Sequence, residues 1–381
     1  MTDRAKHEGP IFGAEDPFAA EERLRNRRFH RQMLLPEVGV EGQARLNRSR
    51  VLVVGAGGLG VPVMQYLAAA GIGTLVVYDD DCVDESNLQR QVLFGVKDVG
   101  RPKAVVAADR LMEQFQPVRI LARKQRFEVG DVGQVFPEVD LVLDCSDHIQ
   151  TKYLLNDAAF LSGKPLIQAG LSQWQGQLGV LDPRDPSRGC LRCLWPHPGD
   201  ERAQGTCAQV GILGPVAGIL GAHQAMEAIK WLLALPTTKG WHRFDLLAMR
   251  FHALGRRRNP KCRLCGDSPE LRTLEAEAYR GVEACRPLER PWSEVQASLA
   301  AGQGRVVDVR ESFEREFLPM ACLWQSYSAL VASTSDLSAD RPLYLVCQKG
   351  IKSYWLAERV RLGGGGSVFS VQGGWETFPQ G

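Results

Sequence analysis

The chain has 381 residues, 44% hydrophobic and 24% charged, with a formal net charge of +2 at pH 7. That length and balance suit two globular domains with real cores, and exclude a disordered tail or a fibre. Near-neutral charge requires no nucleic acid and no anionic membrane as partner, so any basic site must be local.

Residues 1–17 are polar with Gly and Pro and read as a mobile N-terminus. They lack the apolar core of a secretory signal. No apolar run approaches the ~20 residues of a spanning helix, so a cytoplasmic location is expected. From Phe18 to Met33 the pattern is charged and helix-compatible, with Arg23, Arg25, Arg27, Arg28 and Arg31 crowded together. The apolar run Val51–Val54 then feeds directly into Gly55-Ala56-Gly57-Gly58-Leu59-Gly60. This reads as strand, tight turn and helix start. Gly55, Gly57, Gly58 and Gly60 would let phosphates approach the backbone, and the free N–H groups of the next helix attract negative charge. A helix from Val61 to Ala70 and a strand from Thr74 to Tyr78 complete a βαβ unit. That strand ends in Asp79-Asp80-Asp81, which puts the Asp79 carboxylate where a ribose would lie. Taken alone, the turn equally suits a nicotinamide-dependent oxidoreductase. Arg90, in Asn87-Leu88-Gln89-Arg90-Gln91, and Lys103, in Gly100-Arg101-Pro102-Lys103, add more cationic charge than a diphosphate needs. They suit a triphosphate that loses pyrophosphate.

Lys103–Phe115 reads as a helix, Arg119–Ala122 as a short strand and Asp140–Asp144 as a buried strand, with Asp147 just past its carboxyl end, where ligands collect in an open parallel sheet. Another strand is expected at Lys164–Gly170. Cys190-Leu191-Arg192-Cys193 and Cys262-Arg263-Leu264-Cys265 form two C-x-x-C pairs. One pair would be ambiguous with redox chemistry; two suit a closed tetrahedral Zn2+ site that staples distant segments, and argue for a reducing compartment. Cys207 stands apart among polar and Gly neighbours, either a nucleophile or a small buried group. From Ile212 to Leu235 small residues recur at helical spacing, including Gly214, Gly218 and Gly221, as in core or a dimer seam. Arg256-Arg257-Arg258 reads as a solvated loop. Residues 267–284 are charged without an apolar period, a linker with some helix. Beyond it, Arg305–Glu311 and Leu343–Cys347 read as strands. The second delivers Cys347 to the loop Gln348–Lys352 before a helix, Tyr354–Leu362. Backbone N–H groups and a helix N-terminus there would lower the thiol pKa and hold an anionic sulfur such as a persulfide. The alternative is a buried strand-end thiol in a domain that only docks a partner.

From Arg27 to Gly266, Arg31-Gln32, the GAGGLG turn, Asn87–Gln91, Gly100–Lys103 and Asp144-Cys145-Ser146-Asp147 resemble, in order, the adenylating enzymes related to ubiquitin-activating enzyme. Among these the resemblance is to sulfur-carrier adenylyltransferases of the ThiF/MoeB/HesA type. It implies an α/β fold: a Rossmann-like nucleotide-binding domain with a mostly parallel sheet and a four-cysteine zinc site, over residues 18–266. It also implies ATP held by Gly55, Gly57, Gly58, Gly60, Asp79, Asn87, Arg90, Lys103 and Asp147, with Mg2+ positioned by Asp147. Arg31 would reach a neighbouring subunit's nucleotide in a homodimer, Gly176-Gln177 would lie in a turn before a strand, and Cys207 would join acyl or sulfur transfer. His148 and Lys152 stand where relatives usually show Asn and Arg. A second resemblance, from about Pro291 to Gly381, is to rhodanese-type sulfurtransferases and implies a small α/β domain over residues 285–381. It rests on Asp308–Glu311, the Cys347 loop and Gln372-Gly373-Gly374-Trp375. The usual Gly-His-Ile-Pro-Gly-Ala stretch is missing around Glu316–Trp324, Lys352 replaces a common Arg, and Gly363–Gly366 is an unusually flexible run.

Together the resemblances imply an enzyme that adenylates the C-terminal Gly-Gly carboxylate of a ubiquitin-like sulfur carrier protein. Cys347, loaded as a persulfide by a donor such as a cysteine desulfurase or thiosulfate, would attack the acyl-adenylate, and Cys207 would release the thiocarboxylate. Three readings compete: adenylation with a docking-only rhodanese domain, a nicotinamide-dependent oxidoreductase, and a non-enzymatic scaffold. The pathway that receives the sulfur is not legible.

Overall fold

The computed structural model describes residues 27–185, 187–197, 211–279, 288–315, 318–332, 341–362 and 367–379. The chain divides into two compact units, Met1–Arg280 and Gly281–Gly381.

In the first unit, α1 (His30–Met33) and α2 (Gly39–Arg48) precede β1 (Arg50–Val54), α3 (Gly60–Ala70) and β2 (Thr74–Tyr78). Then come α4 (Lys103–Gln114), β3 (Arg119–Arg123), α5 (Val129–Val135), β4 (Leu141–Asp144), α6 (Ile149–Leu161) and β5 (Leu166–Ser172). The unit closes with β6 (Gln175–Leu181), α7 (Leu191–Leu194), α8 (Gly214–Leu232), β7 (Trp241–Asp245) and β8 (Arg250–Leu254). These strands form one eight-stranded sheet in the order β3-β2-β1-β4-β5-β6-β7-β8. Pairings from β3 to β5 are parallel, and those from β5 to β8 are antiparallel. The Rossmann-like, mostly parallel order puts the sheet's reversal of direction between β1 and β4, the switch point at which ligands collect in open α/β sheets.

The apolar runs are continuous because both sheet faces are covered. Val51, Val53, Leu75, Val77 and Leu143 turn to one core with α3, α4 and α8; Leu52, Val54, Val76, Tyr78 and Val142 turn to another with α5 and α6. Helix α3 is apolar all round because α8 crosses it: a Cβ on Gly221 would overlap Pro62 and lie 2.7 Å from the Leu59 carbonyl. Gly214 meets the Gln89 backbone. Two of the three small residues thus serve packing inside one chain, whereas a Cβ on Gly218 would meet nothing within 4 Å.

The structure departs from expectation in four places. Gly176 and Gln177 lie inside β6, with the turn at Gln173-Trp174, because a side chain at Gly176 would strike Leu220 of α8. Strands β7 and β8 extend the sheet unannounced; β8 is exposed along its whole length, so no alternation betrays it. Arg256 is no solvated loop residue: it is 5% exposed and donates to the Arg188 and Val180 carbonyls at 2.6 and 2.9 Å. Within the stretch read as a linker, Leu274 and Tyr279 pack on the second core, and the Tyr279 hydroxyl donates to Asp157 at 2.7 Å. Of the expected Phe18–Met33 helix, the part before Arg27 lies outside the described residues.

The second unit has β9 (Glu289–Arg290), α9 (Trp292–Ala300), β10 (Arg305–Asp308), β11 (Leu323–Trp324), α10 (Tyr327–Ala332), β12 (Leu343–Val346), α11 (Ile351–Leu362) and β13 (Val368–Val371). Its five strands run parallel in the order β11-β10-β12-β13-β9. Its two faces carry their own cores, one around Leu345 and Leu356, the other around Trp292 and Trp375.

Candidate functional site

The switch point of the first unit is built on the Gly55–Gly60 turn. Gly55 has φ +100°, and a Cβ there would lie 2.7 Å from the Cys145 carbonyl after β4; one on Gly60 would overlap the Gly55 carbonyl. Only glycine allows the turn to fold back under α3 while touching the next loop. Asp79, just beyond β2, accepts the Ala56 N–H at 2.6 Å. Burial raises its carboxyl to about 6, against the opposing pull of Lys103 and that N–H.

Lys103 opens α4 and is 5% exposed. Its Nζ lies 2.7 Å from Asp81 Oδ2, a carboxylate whose side chain is 69% exposed. The stem of Arg90 lies against Gly58, and its Nη1 donates to the Ser86 carbonyl at 2.9 Å. Asn87 sits in the same turn and donates to Ser86 Oγ. Gln91, 2% exposed, has its Nε2 beside Gly57. Asp147 is exposed past the end of β4, with His148 Nε2 3.9 Å from its Oδ1. The structure therefore gathers Gly55, Gly57, Gly58, Gly60, Asp79, Arg90 and Lys103 around one turn. Arg31 is exposed on α1, and among the described residues no hydrogen bond or ion pair links it to that turn. Cys207 lies outside the described residues.

Beneath the rim lies a network that sequence reading missed. Asp144 is fully buried and accepts Ser146 Oγ at 2.6 Å, Gln168 Nε2 at 2.7 Å and Lys152 Nζ at 3.2 Å. Lys152 also donates to the Ala169 carbonyl, so its ammonium supports the floor of the loop. Asp81 carries no separate signal in the sequence, because Asp79 accounts for the triple-Asp run.

The four cysteines of the two knuckles come together. The Sγ atoms lie within 4.8 Å of one another, with Cys190–Cys193 at 4.0 Å, Cys190–Cys262 at 3.6 Å and Cys193–Cys265 at 3.3 Å. A tetrahedron of thiolates at the usual zinc bond length has sulfurs about 3.8 Å apart. The residues fit a tetrahedral thiophilic ion. Their crowding sets the thiols against one another: the hydrogen bond with Cys190 pulls Cys262 down, while contact with Cys193 and Cys262 pushes Cys190 up. Between the ligands of the first knuckle, Arg192 is buried against Asp157, Nε donating to Oδ1 at 2.8 Å and Nη2 to Oδ2 at 2.7 Å. Asn156 and Tyr279 also donate to Asp157.

In the second unit Cys347 follows β12. Gly350, at φ +77°, turns the chain into α11, which starts at Ile351 rather than at Tyr354. The cysteine loop is thus shorter than expected. Cys347 is 3% exposed and packs in the apolar core, with Ser353 N–H and Oγ each 3.4 Å from its Sγ. Arg310 forms a fork to buried Asp308 and reaches Gln348 Oε1 at 3.3 Å, and Lys352 pairs with Glu314 at 2.6 Å. A Cβ on Gly374 would overlap the Cys347 carbonyl, so the Gly373-Gly374 turn clamps the cysteine loop.

A family model described as the ThiF family matches residues 29–264. The chain is 45% identical to the sulfur carrier protein adenylyltransferase of Thermus thermophilus, across 67% of this chain and 96% of that protein. It is 31% identical to the adenylyltransferase and sulfurtransferase uba4 of Emericella nidulans, across 98% of this chain and 87% of that one. Among solved structures, Escherichia coli MccB with ATP superposes with a TM-score of 0.54 at 24% identity, across 64% of this chain and 76% of that chain, a likeness of fold. With more than half of its length matched by one family and 98% of it aligned to a relative named for two activities, the chain belongs to the ThiF family.

Proposed function

We propose that this protein uses ATP to adenylate the C-terminal Gly-Gly carboxylate of a ubiquitin-like sulfur carrier protein and then installs sulfur from Cys347, yielding the thiocarboxylate. Lys103 carries the adenylation reading: an ammonium withdrawn from water beside a phosphate-binding turn has little use in hydride transfer and suits a triphosphate. The relatives' names support the same chemistry.

The amides after Ala56 hold the phosphates and the Asp79 carboxylate the ribose, with Asn87 in support. The carrier carboxylate attacks the α-phosphorus, the bond to the β-phosphate oxygen breaks, and pyrophosphate leaves with its charge met by Arg90 and Lys103. Asp147, a lone carboxylate on an open rim, fits Mg2+, which takes one or two carboxylates plus substrate phosphates and would neutralise phosphate charge when bound. Zn2+ on Cys190, Cys193, Cys262 and Cys265 would be structural, its four thiolates leaving no open position. Arg31 serves the neighbouring site of a homodimer.

The Cys347 persulfide, supplied by a cysteine desulfurase or thiosulfate, then attacks the acyl carbon and expels AMP. Cys207 thiolate attacks the resulting acyl disulfide at the Cys347 sulfur. The carrier leaves as thiocarboxylate, and a Cys207–Cys347 disulfide remains for a cellular thiol to reduce. A cytoplasmic setting suits those free thiols, and no helix among the described residues is long and apolar enough to cross a membrane.

Incubation of a Gly-Gly-ended carrier with ATP, a sulfur source and this protein should replace one carrier oxygen by sulfur, seen by mass spectrometry. Absence of carrier-dependent pyrophosphate exchange into ATP would reject the scheme. The burial of Cys347 favours one competing reading, a second unit that only docks a partner. Under it Cys347→Ala would leave thiocarboxylate formation intact; under ours it abolishes it.

A further inference from the structure

The thiol of Cys347 stands at one end of a line of buried hydroxyls. Ser353, 0% exposed, points its N–H and its Oγ at Sγ, each at 3.4 Å. The same Oγ lies 2.8 Å from Oγ of Ser370, also 0% exposed, and the Ser370 hydroxyl donates to the Gly350 carbonyl at 3.3 Å. A carbonyl only accepts, and this orients the whole line. Ser370 donates to Gly350, Ser353 donates to Ser370, and the Cys347 S–H donates to Ser353. Once the sulfur is ionised the near end must reverse, with the Ser353 hydroxyl turned to the anion.

We propose that Ser353 and Ser370 form a two-position hydroxyl switch that sets how readily Cys347 ionises. Ser353 stabilises the thiolate, and later the persulfide anion, by rotating its O–H onto the sulfur. Ser370 opposes this, because it offers the same O–H a competing acceptor that is satisfied only in the thiol state. The thiol proton is lost to solvent base; the serines rotate and pass no proton. Both are positioning residues, and the inference rests on Cys347 being the sulfur-carrying thiol. Around Cys347, Tyr354 of α11 shares its apolar cluster, Tyr327 of α10 packs against that cluster, and Arg310 meets the loop through Gln348. Lys352, beside Ser353, is held by Glu314. These groups are common to wild type and variants, so their influence cancels in the comparison.

The test is the pH dependence of Cys347 alkylation by iodoacetamide in the full-length chain, read on the Cys347 peptide by mass spectrometry. Ser353→Ala removes a hydrogen bond to a charged sulfur and should raise the midpoint by about one pH unit, a tenfold loss of thiolate at a given pH. Ser370→Ala strands the Ser353 hydroxyl on the sulfur and should lower the midpoint by about half a unit. Ser353→Thr keeps the hydroxyl and should titrate like wild type. A merely structural role would move both alanine variants in one direction or neither, and either result overturns the proposal. If Ser353→Ala does not fold, Ser370→Ala decides alone: an unchanged or raised midpoint rejects the switch. Alkylation needs no ATP or carrier. Correctly signed shifts in a protein that forms no thiocarboxylate would therefore reject the sulfur-transfer reading and leave the switch standing.

Discussion

Burial lifts the Asp79 carboxyl to about 6, although Lys103 and the Ala56 N–H both favour its charge. On the proposed reading Asp79 receives the ribose, whose hydroxyls donate, so the ionised form binds the nucleoside more tightly. Affinity for adenosine, which carries no phosphate to titrate, should be level above pH 7 and fall about tenfold per unit below pH 6, measurable by calorimetry. Asp79→Asn should bind weakly with no such slope. The stability linkage has the opposite sense. With its folded pKa raised, Asp79 adds stability below its unfolded pKa of about 3.9 that is lost as pH rises through about 6. Lys103 invites a complementary test, because its partner Asp81 is largely in water and needs no cation to stay solvated. Lys103→Met should cut pyrophosphate exchange by about 10²–10³ while hardly moving the melting temperature.

At the scale of elements, the start of α3 is specified by contact rather than propensity. A methyl group at residue 60 would occupy the Gly55 carbonyl oxygen, so Gly60→Ala should displace the turn and abolish ATP binding, as judged by fluorescence of a nucleotide analogue. Helix α7 meets α6 through the Arg192–Asp157 fork, with Asp157 0% exposed. Arg192→Met should cost about 3–5 kcal/mol in urea denaturation, because it leaves a buried carboxylate without its cation. Arg192→Met with Asp157→Leu should recover much of that loss. Neither the fork nor the network around Asp144 is legible in the sequence. Asp157 and Arg192 lie thirty-five residues apart, and each looks like an ordinary surface charge in its own window. Strands β7 and β8 escape for a related reason: a strand open to solvent on both faces, as β8 is, has no buried side to impose a period.

Across the whole molecule, the four-sulfur centre joins knuckles seventy-two residues apart. Purified protein should carry one zinc per chain by elemental analysis. Its removal by a chelator should lower the first unit's melting transition and leave that of the second, which has its own two cores. The amino-acid pattern by itself determined the glycine turn, the acidic strand end, the paired knuckles and the positions of the first unit's parallel strands. Each of these is written in short spacings that dictate local backbone geometry. Only the tertiary structure decided that Lys103 is held by Asp81, that Lys152 serves Asp144, that Arg256 is buried and that Cys347 lies in a core beside two serines. Those partners meet through space across many residues, and what a charge or thiol does there depends on the neighbours and water that packing leaves it.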